Sequence, residues 1–174
     1  DVEPGTNPGH LFQQNSMRDA LIASSTLDIF NRHCDRVRMA NIAQIVNVLQ
    51  SMVLTKGDKM LLTPTYYVFK MYNVHQDATL LPSGLITEWY KHGDEEIPAL
   101  SSSASMDKDG KIHVTISNLN PAKEMKLEIN LSGKNISKVN SATILTAPAF
   151  NSVNTFEKPE TIVPAAFKNI QKLA

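Results

Sequence analysis

The stretch from Arg36 to Gln50 constrains this chain more than any other. It is mostly apolar, with Val37, Met39, Ile42, Ile45, Val46, Val48 and Leu49, yet Asn41, Gln44 and Asn47 interrupt it. A desolvated amide costs a few kcal/mol unless it is hydrogen-bonded. Either these amides are tied into a network, or one of them faces a cavity that holds a polar ligand. Helical patterns flank the stretch on both sides, and a buried strand between helices is the repeating unit of an α/β barrel. The spacing predicts a strand from Val37 to about Ala43, with Gln44 at its C-terminal end and Asn47 and Gln50 in the connection beyond. Ile42, Ile45, Val46 and Leu49 also fit a helical face, so a helix is the competing assignment.

On the N-terminal side, Pro4, Gly5, Pro8 and Gly9 read as a loop. Asp1 to Gly9 lacks the charged-then-apolar pattern of a leader. Ser16 then suits a helix cap, and Asp19 suits the positive end of the helix dipole. Ala20, Ala23, Leu27 and Phe30 recur at helical spacing, with Ile22 and Ile29 beside them, so a helix is expected over 16–33. Its polar side would carry Arg18, Ser25, Asp28 and Arg32. His33 and Cys34 are neighbours at the helix end, where side chains seldom point at one another. A thiol–imidazole pair would need a third, orienting group. Asp35 follows directly, but it sits at the start of the expected strand, away from the end where a barrel does its chemistry, and reads as a structural acceptor.

Beyond the stretch, Gly57-Asp58 marks a turn. Thr63 and Pro64 start a second helix with an apolar face of Tyr66, Val68, Phe69 and Tyr72, through about Val74. The tyrosine cluster could form a sugar platform, but on a barrel helix it more often forms core and rim.

The pattern changes after Asp77. Lys111 to Ser117 alternates, Asp107-Lys108-Asp109-Gly110 is a hairpin turn, and Met125, Leu127, Ile129 and Leu131 alternate with polar partners. Val139 to Leu145 reads as another strand. Such strands imply an antiparallel β-sandwich with one wet face. Residues 147–174 are Pro-rich and supply no recognisable closing strand, so the sandwich is expected to be incomplete at its C-terminus. The triplet Asn135-Ile136-Ser137 matches a glycosylation site, a pattern too short to carry weight.

Composition narrows the function classes. The 174 residues carry 17 basic and 17 acidic side chains, so no excess of positive charge favours nucleic acid or an anionic membrane. No apolar run is long enough to span a bilayer. One cysteine, Cys34, allows neither an internal disulfide nor a multi-cysteine metal site. No cofactor and no metal are expected.

Several blocks together resemble the α-L-arabinofuranosidases of glycoside hydrolase family 51. They are Gln13 to Leu21, Asp35 to Val48, Thr63-Pro64-Thr65-Tyr66, Val74-His75-Gln76-Asp77, and the late pieces Phe150-Asn151, Asn154-Thr155-Phe156-Glu157 and Pro159. The resemblance implies a (β/α)8 catalytic barrel followed by a jelly-roll-like β-sandwich. On that basis residues 1–78 are the C-terminal part of the barrel, its last strand–helix units, and residues 79–174 are the sandwich: an α+β fragment. The implied activity is release of terminal arabinofuranosyl units, with retention, from arabinan- or arabinoxylan-type oligosaccharides and polysaccharides. Retention needs two carboxyl groups about 5 Å apart. The family's nucleophile would lie just upstream of the segment resembling Asp1 to Thr6, and its acid/base further upstream. Glu3 and Glu88 are neither of these, so no catalytic residue falls in this chain and it should be inactive alone. Gln44 matches the glutamine that reaches the bound arabinose, and an amide can both donate to and accept from a sugar hydroxyl. Asn41 and Asn47 are expected to be structural.

The alternative is a non-catalytic module, either binding polysaccharide through Trp89, Tyr90 and His92 or bracing the barrel. An isolated barrel strand with open edges also predicts association, either by folding back onto the sandwich or, preferred, as a homo-oligomer.

Overall fold

The computed structural model describes residues 4–13, 15–133 and 138–171. Glu3 and the Asn135-Ile136-Ser137 triplet lie outside the described residues. Helix α1 spans Met17–Arg32, close to expectation. Asp19 Oδ2 accepts from the Ser16 N–H at 2.7 Å and from Ser16 Oγ at 2.8 Å, which fixes the helix entry. Two of the helix's free N–H groups find acceptors at the other end of the chain. Met17 N donates to Ser152 O at 3.0 Å and Arg18 N to Phe150 O at 2.9 Å. The first block of the family resemblance therefore meets the late Phe150-Asn151 block in space.

The buried face of α1 differs from expectation. Ala20, Ser24 and Asp28 are buried, whereas Ile22 and Ile29 are 58% and 47% exposed. Asp28, assigned to the polar side from the sequence, is fully buried. The stripe at positions 20, 24 and 28 is a true helical stripe, but its last two members are polar and face a polar partner.

After α1 the chain runs irregularly to Met52. The strand expected over 37–43 is absent, and Arg38 to Asn41 are exposed. A barrel strand takes its hydrogen bonds from parallel neighbours. Among the described residues the only parallel pairing nearby is the single bridge between Val46 and Val53. Strands β1 (Val53–Lys56) and β2 (Lys59–Leu62) form an antiparallel hairpin turned at Gly57, whose φ is +61°. Helix α2 (Pro64–Tyr72) starts at a Thr63 cap with Pro64 in its first turn, and a 3₁₀ turn, Asn73–His75, continues it.

The rest of the chain forms small antiparallel sheets. Strands β3 (Thr79–Leu80), β6 (Leu100–Met106) and β7 (Ile112–Asn118) make a three-stranded sheet in the order β3-β6-β7. Strands β4 (Trp89–His92) and β5 (Glu95–Pro98) make a separate hairpin. The Asp107–Gly110 turn joins β6 to β7, and Asp107 Oδ1 accepts from the N–H groups of Asp109 and Lys111, each at 2.9 Å. The strand expected over 125–131 does not form. From Val139 to Leu145 only Thr143–Ile144 (β8) is strand, and it pairs with Ala165–Ala166 (β9). The tail thus does supply a paired strand, contrary to expectation. Asn154 holds the tail through both ends of its amide. Its Nδ2 donates to Leu62 O and Ile162 O, and its Oδ1 accepts from Ile162 N at 2.8 Å. Ile162 is fully buried there. Among the described residues no helix is long and apolar enough to cross a membrane.

Candidate functional site

Gln44 lies on the surface of the irregular segment between α1 and β1, and its neighbours Asn41 and Asn47 are exposed too. Asn47 has a structural role. Its Oδ1 accepts from Thr55 N at 2.7 Å and its Nδ2 donates to Thr55 Oγ1 at 2.8 Å, which ties the segment to the edge of β1. Gln50 Nε2 donates to Ala43 O at 3.1 Å and closes the loop beside Gln44. Gln44 is thus presented on a braced loop rather than at the end of a strand.

Glu88, the one described carboxylate weighed against the family's catalytic pair, is bound to Lys123 Nζ at 2.7 Å. Cys34 and His33 are both exposed. The tyrosines do not act as one cluster. Tyr66 and Tyr67 pack edge to face at 5.4 Å, while Tyr72 turns into the interior. Trp89 is 57% exposed on β4, opposite Pro98. Two residues along the same face, Lys91 and Glu96 form an ion pair at 2.8 Å. A hollow of about 400 Å³ is lined by Val139, Asn140, Ser141, Ala142, Phe167 and Ile170, and among the described residues that line it none is ionisable.

The densest chemistry lies where α1 and α2 meet the sheet. Ser101, Ser103 and Ser105 alternate along β6 and face Thr115 and Ser117 on β7, so this sheet face is lined with hydroxyls. Asp28 enters it from α1. Its Oδ2 accepts from Ser101 Oγ at 2.6 Å, and its Oδ1 from Tyr72 OH at 2.8 Å and Thr115 Oγ1 at 3.3 Å. Ser117 Oγ donates to Ser24 Oγ at 2.8 Å. Asn31 Nδ2 donates to Ser103 Oγ at 2.9 Å, and Arg32 to Ser102 O at 2.9 Å. His75 Nδ1 lies 2.7 Å from Ser105 Oγ and its Nε2 3.1 Å from Thr115 Oγ1. Burial, then the Asp28 charge, pushes the Tyr72 hydroxyl well above the ordinary tyrosine range. His75 is held below the ordinary imidazole range, chiefly by burial. Sequence reasoning missed this cluster. The period-two serines of β6 were its visible signal.

The comparisons with known proteins agree with one another. The sequence matches the family described as "Alpha-L-arabinofuranosidase C-terminal domain" over residues 1–174. It is 52% identical, over 98% of its length, to an intracellular exo-α-L-arabinofuranosidase of Bacteroides ovatus, of which it covers 33%. The crystal structure of a GH51 arabinofuranosidase from Xanthomonas axonopodis pv. citri superposes with a TM-score of 0.83 at 47% identity, over 96% of this chain and 34% of that one. An arabinose complex of the Thermotoga maritima α-L-arabinofuranosidase, 22% identical, shares the fold with a TM-score of 0.75, over 95% of this chain and 36% of that one. The chain spans about a third of the length of these relatives. With its mixed helices and small antiparallel sheets, it belongs to the C-terminal domain family of the GH51 α-L-arabinofuranosidases.

Proposed function

We propose that this chain serves as the C-terminal portion of a retaining α-L-arabinofuranosidase that releases terminal arabinofuranosyl units from arabinan- or arabinoxylan-type glycans. The observation that carries the reading is 52% identity across 98% of the chain to a protein named an intracellular exo-α-L-arabinofuranosidase. Residues 1–78 then contribute the last strand–helix units of a (β/α)8 barrel, and residues 79–174 a jelly-roll-like second domain. Surface area supports a large covering partner. The chain exposes 12473 Å², whereas a compact monomer of its mass exposes about 8,400 Å². Apolar side chains on the 37–48 segment, such as Met39 at 74% and Ile45 at 58% exposure, belong to that excess. In the intact enzyme they would face the rest of the barrel. In the isolated chain they favour a homo-oligomer, which sedimentation at several concentrations would register as a mass that rises with concentration.

The catalytic carboxylates of such an enzyme lie outside this chain, so the purified chain should not hydrolyse an aryl α-L-arabinofuranoside. Gln44 is the residue of this chain that reaches the sugar. In a longer polypeptide that includes the upstream barrel, Gln44→Ala should lower kcat/KM by on the order of 1–3 kcal/mol of transition-state binding. Turnover by the 174-residue chain, abolished by changing one of its own carboxylates, would overturn the first statement. An unchanged kcat/KM would overturn the second.

One observation favours a second reading, a carbohydrate-binding hairpin. Trp89 offers a half-open ring face beside the Lys91–Glu96 pair, an apolar surface next to hydrogen-bonding groups. It is the chain's only tryptophan, so its fluorescence during a titration with arabino-oligosaccharides reports on this face alone.

A further inference from the structure

The hydrogens of the buried cluster follow from the donor count. Thr115 has one hydroxyl proton and three side-chain contacts: Ser103 Oγ at 3.0 Å, His75 Nε2 at 3.1 Å and Asp28 Oδ1 at 3.3 Å. The carboxylate is the strongest acceptor and takes the proton, while Ser103 Oγ donates to Thr115 Oγ1. The Thr115 contact with His75 Nε2 then requires the ring to donate, so Nε2 carries the proton. Nδ1 is left as an acceptor, and Ser105 Oγ donates to it at 2.7 Å. The result is one directed chain, Ser105 to His75 to Thr115 to Asp28, and it requires a neutral ring. A second proton on Nδ1 would turn that nitrogen into a donor and deprive the Ser105 hydroxyl of its acceptor. Ser105 is only 4% exposed, and among the described residues its Oγ has no other hydrogen-bond partner. A small cavity of about 40 Å³ beside the ring, lined by Asn31, Cys34, His75 and Ser105, gives the side chains room to turn.

This hydrogen-bond chain joins four elements. Asp28 sits on α1, His75 follows α2, and Ser105 and Thr115 belong to β6 and β7. The C-terminal turn of α1 is bound to the same sheet through Asn31 and Arg32, immediately before the segment that carries Gln44. We propose that the Ser105–His75–Thr115–Asp28 chain is an acid-released latch that holds the end of α1, and the entry to the 33–52 segment, on the sheet. The latch does not depend on Gln44 touching a sugar.

The groups facing His75 are Asp28 from α1, Tyr72 from α2, Cys34 from the far side of the cavity and His113 from β7, itself paired with Asp107 at 2.8 Å. Burial disfavours the charged ring, the Asp28 charge favours it, and His113 disfavours it, with burial prevailing. The folded pKa therefore lies below that of an open chain, about 6.5. The stabilisation is complete above the open-chain value and is lost as pH falls through the folded one.

Hydrogen exchange on the 174-residue chain at about pH 7.5 and about pH 5, corrected for intrinsic rates, tests the latch. Protection in the last turns of α1 should fall about tenfold for each pH unit by which the His75 pKa is depressed. His75→Gln should abolish that acid loss, and His113→Gln should leave it in place. Ring NMR of the wild-type chain provides a reading that needs no variant. The His75 ring, assigned among the chain's five histidines, should titrate below the ordinary imidazole value. Constant protection of α1 across the window would overturn the latch. So would abolition of the acid loss by His113→Gln, or a His75 ring that titrates at or above the ordinary value.

Discussion

At the junction of α1, α2 and β6–β7 the side chains are polar and buried. Along the 37–48 and 125–131 segments they are apolar and exposed. Asp28 is fully buried and Ser103 is 1% exposed, while Ile45, Leu127 and Ile129 are 58%, 44% and 52% exposed. Burial in this chain therefore follows the presence of a partner rather than the polarity of the side chain. A hydroxyl or carboxylate can leave water when every donor and acceptor is matched, as at the Asp28 cluster. An isoleucine gains its usual stabilisation of about 1.5–3 kcal/mol only where a second surface removes it from water. The β6–β7 hairpin and the α1–α2 pair supply surfaces to each other. The 37–48 and 125–131 segments meet little that could cover them.

Four substitutions break or sharpen this contrast. Asp28→Ala has the largest expected effect. It removes the acceptor of three hydroxyls and should cost on the order of 3 kcal/mol or more in a denaturant titration. A loss below about 1 kcal/mol would mean that the buried polar groups are satisfied without Asp28. Asn154→Ala comes next, at about 1–2 kcal/mol, because Ile162 N–H would be left buried without its acceptor. Thermal unfolding would measure it, and an unchanged midpoint would show that the tail is held by other contacts. Gly110→Ala should cost about 1 kcal/mol, since Gly110 adopts a φ of +77° in the β6–β7 turn. A neutral result would mean that the turn relaxes to another type. Ile129→Ser should change stability by no more than about 0.5 kcal/mol. A loss several times larger would place the 125–131 segment at a buried surface in solution.

Much of the fold could be read from local chemistry. Ser16 and Asp19 set the start of α1, Thr63 and Pro64 that of α2, and Asp107 to Gly110 the β6–β7 turn. Each is a signal whose partner lies a few residues away. Two kinds of feature were not legible. The 37–43 strand was assigned from its own hydrophobicity, but a strand is defined by a neighbour, and no parallel strand lies beside it among the described residues. The Met125–Leu131 alternation failed for a related reason: among the described residues no strand pairs with it, whereas the Asp107–Gly110 turn delivers Ile112 to Ser117 onto β6. The polar cluster escaped for the opposite reason. Ser24 and Asp28 lie on the correct helical stripe with Ala20, but polarity assigns such residues outward unless the facing strand is read with them. Gln44 was found through resemblance, and its place on a loop tied to β1 by Asn47 could not be derived from the run of apolar residues around it.

The acceptors at the start of α1 also bear on the order in which the chain acquires its structure. Met17 and Arg18 are synthesised more than 130 residues before the carbonyls of Ser152 and Phe150 that receive their N–H groups. The interior of the helix can form on its own, but its first turn remains open until the tail arrives. Closing a contact across so much chain is slow compared with helix growth. A nascent chain stalled before residue 150 should therefore carry a frayed α1 entry, which would close only once residues 150–152 have been made.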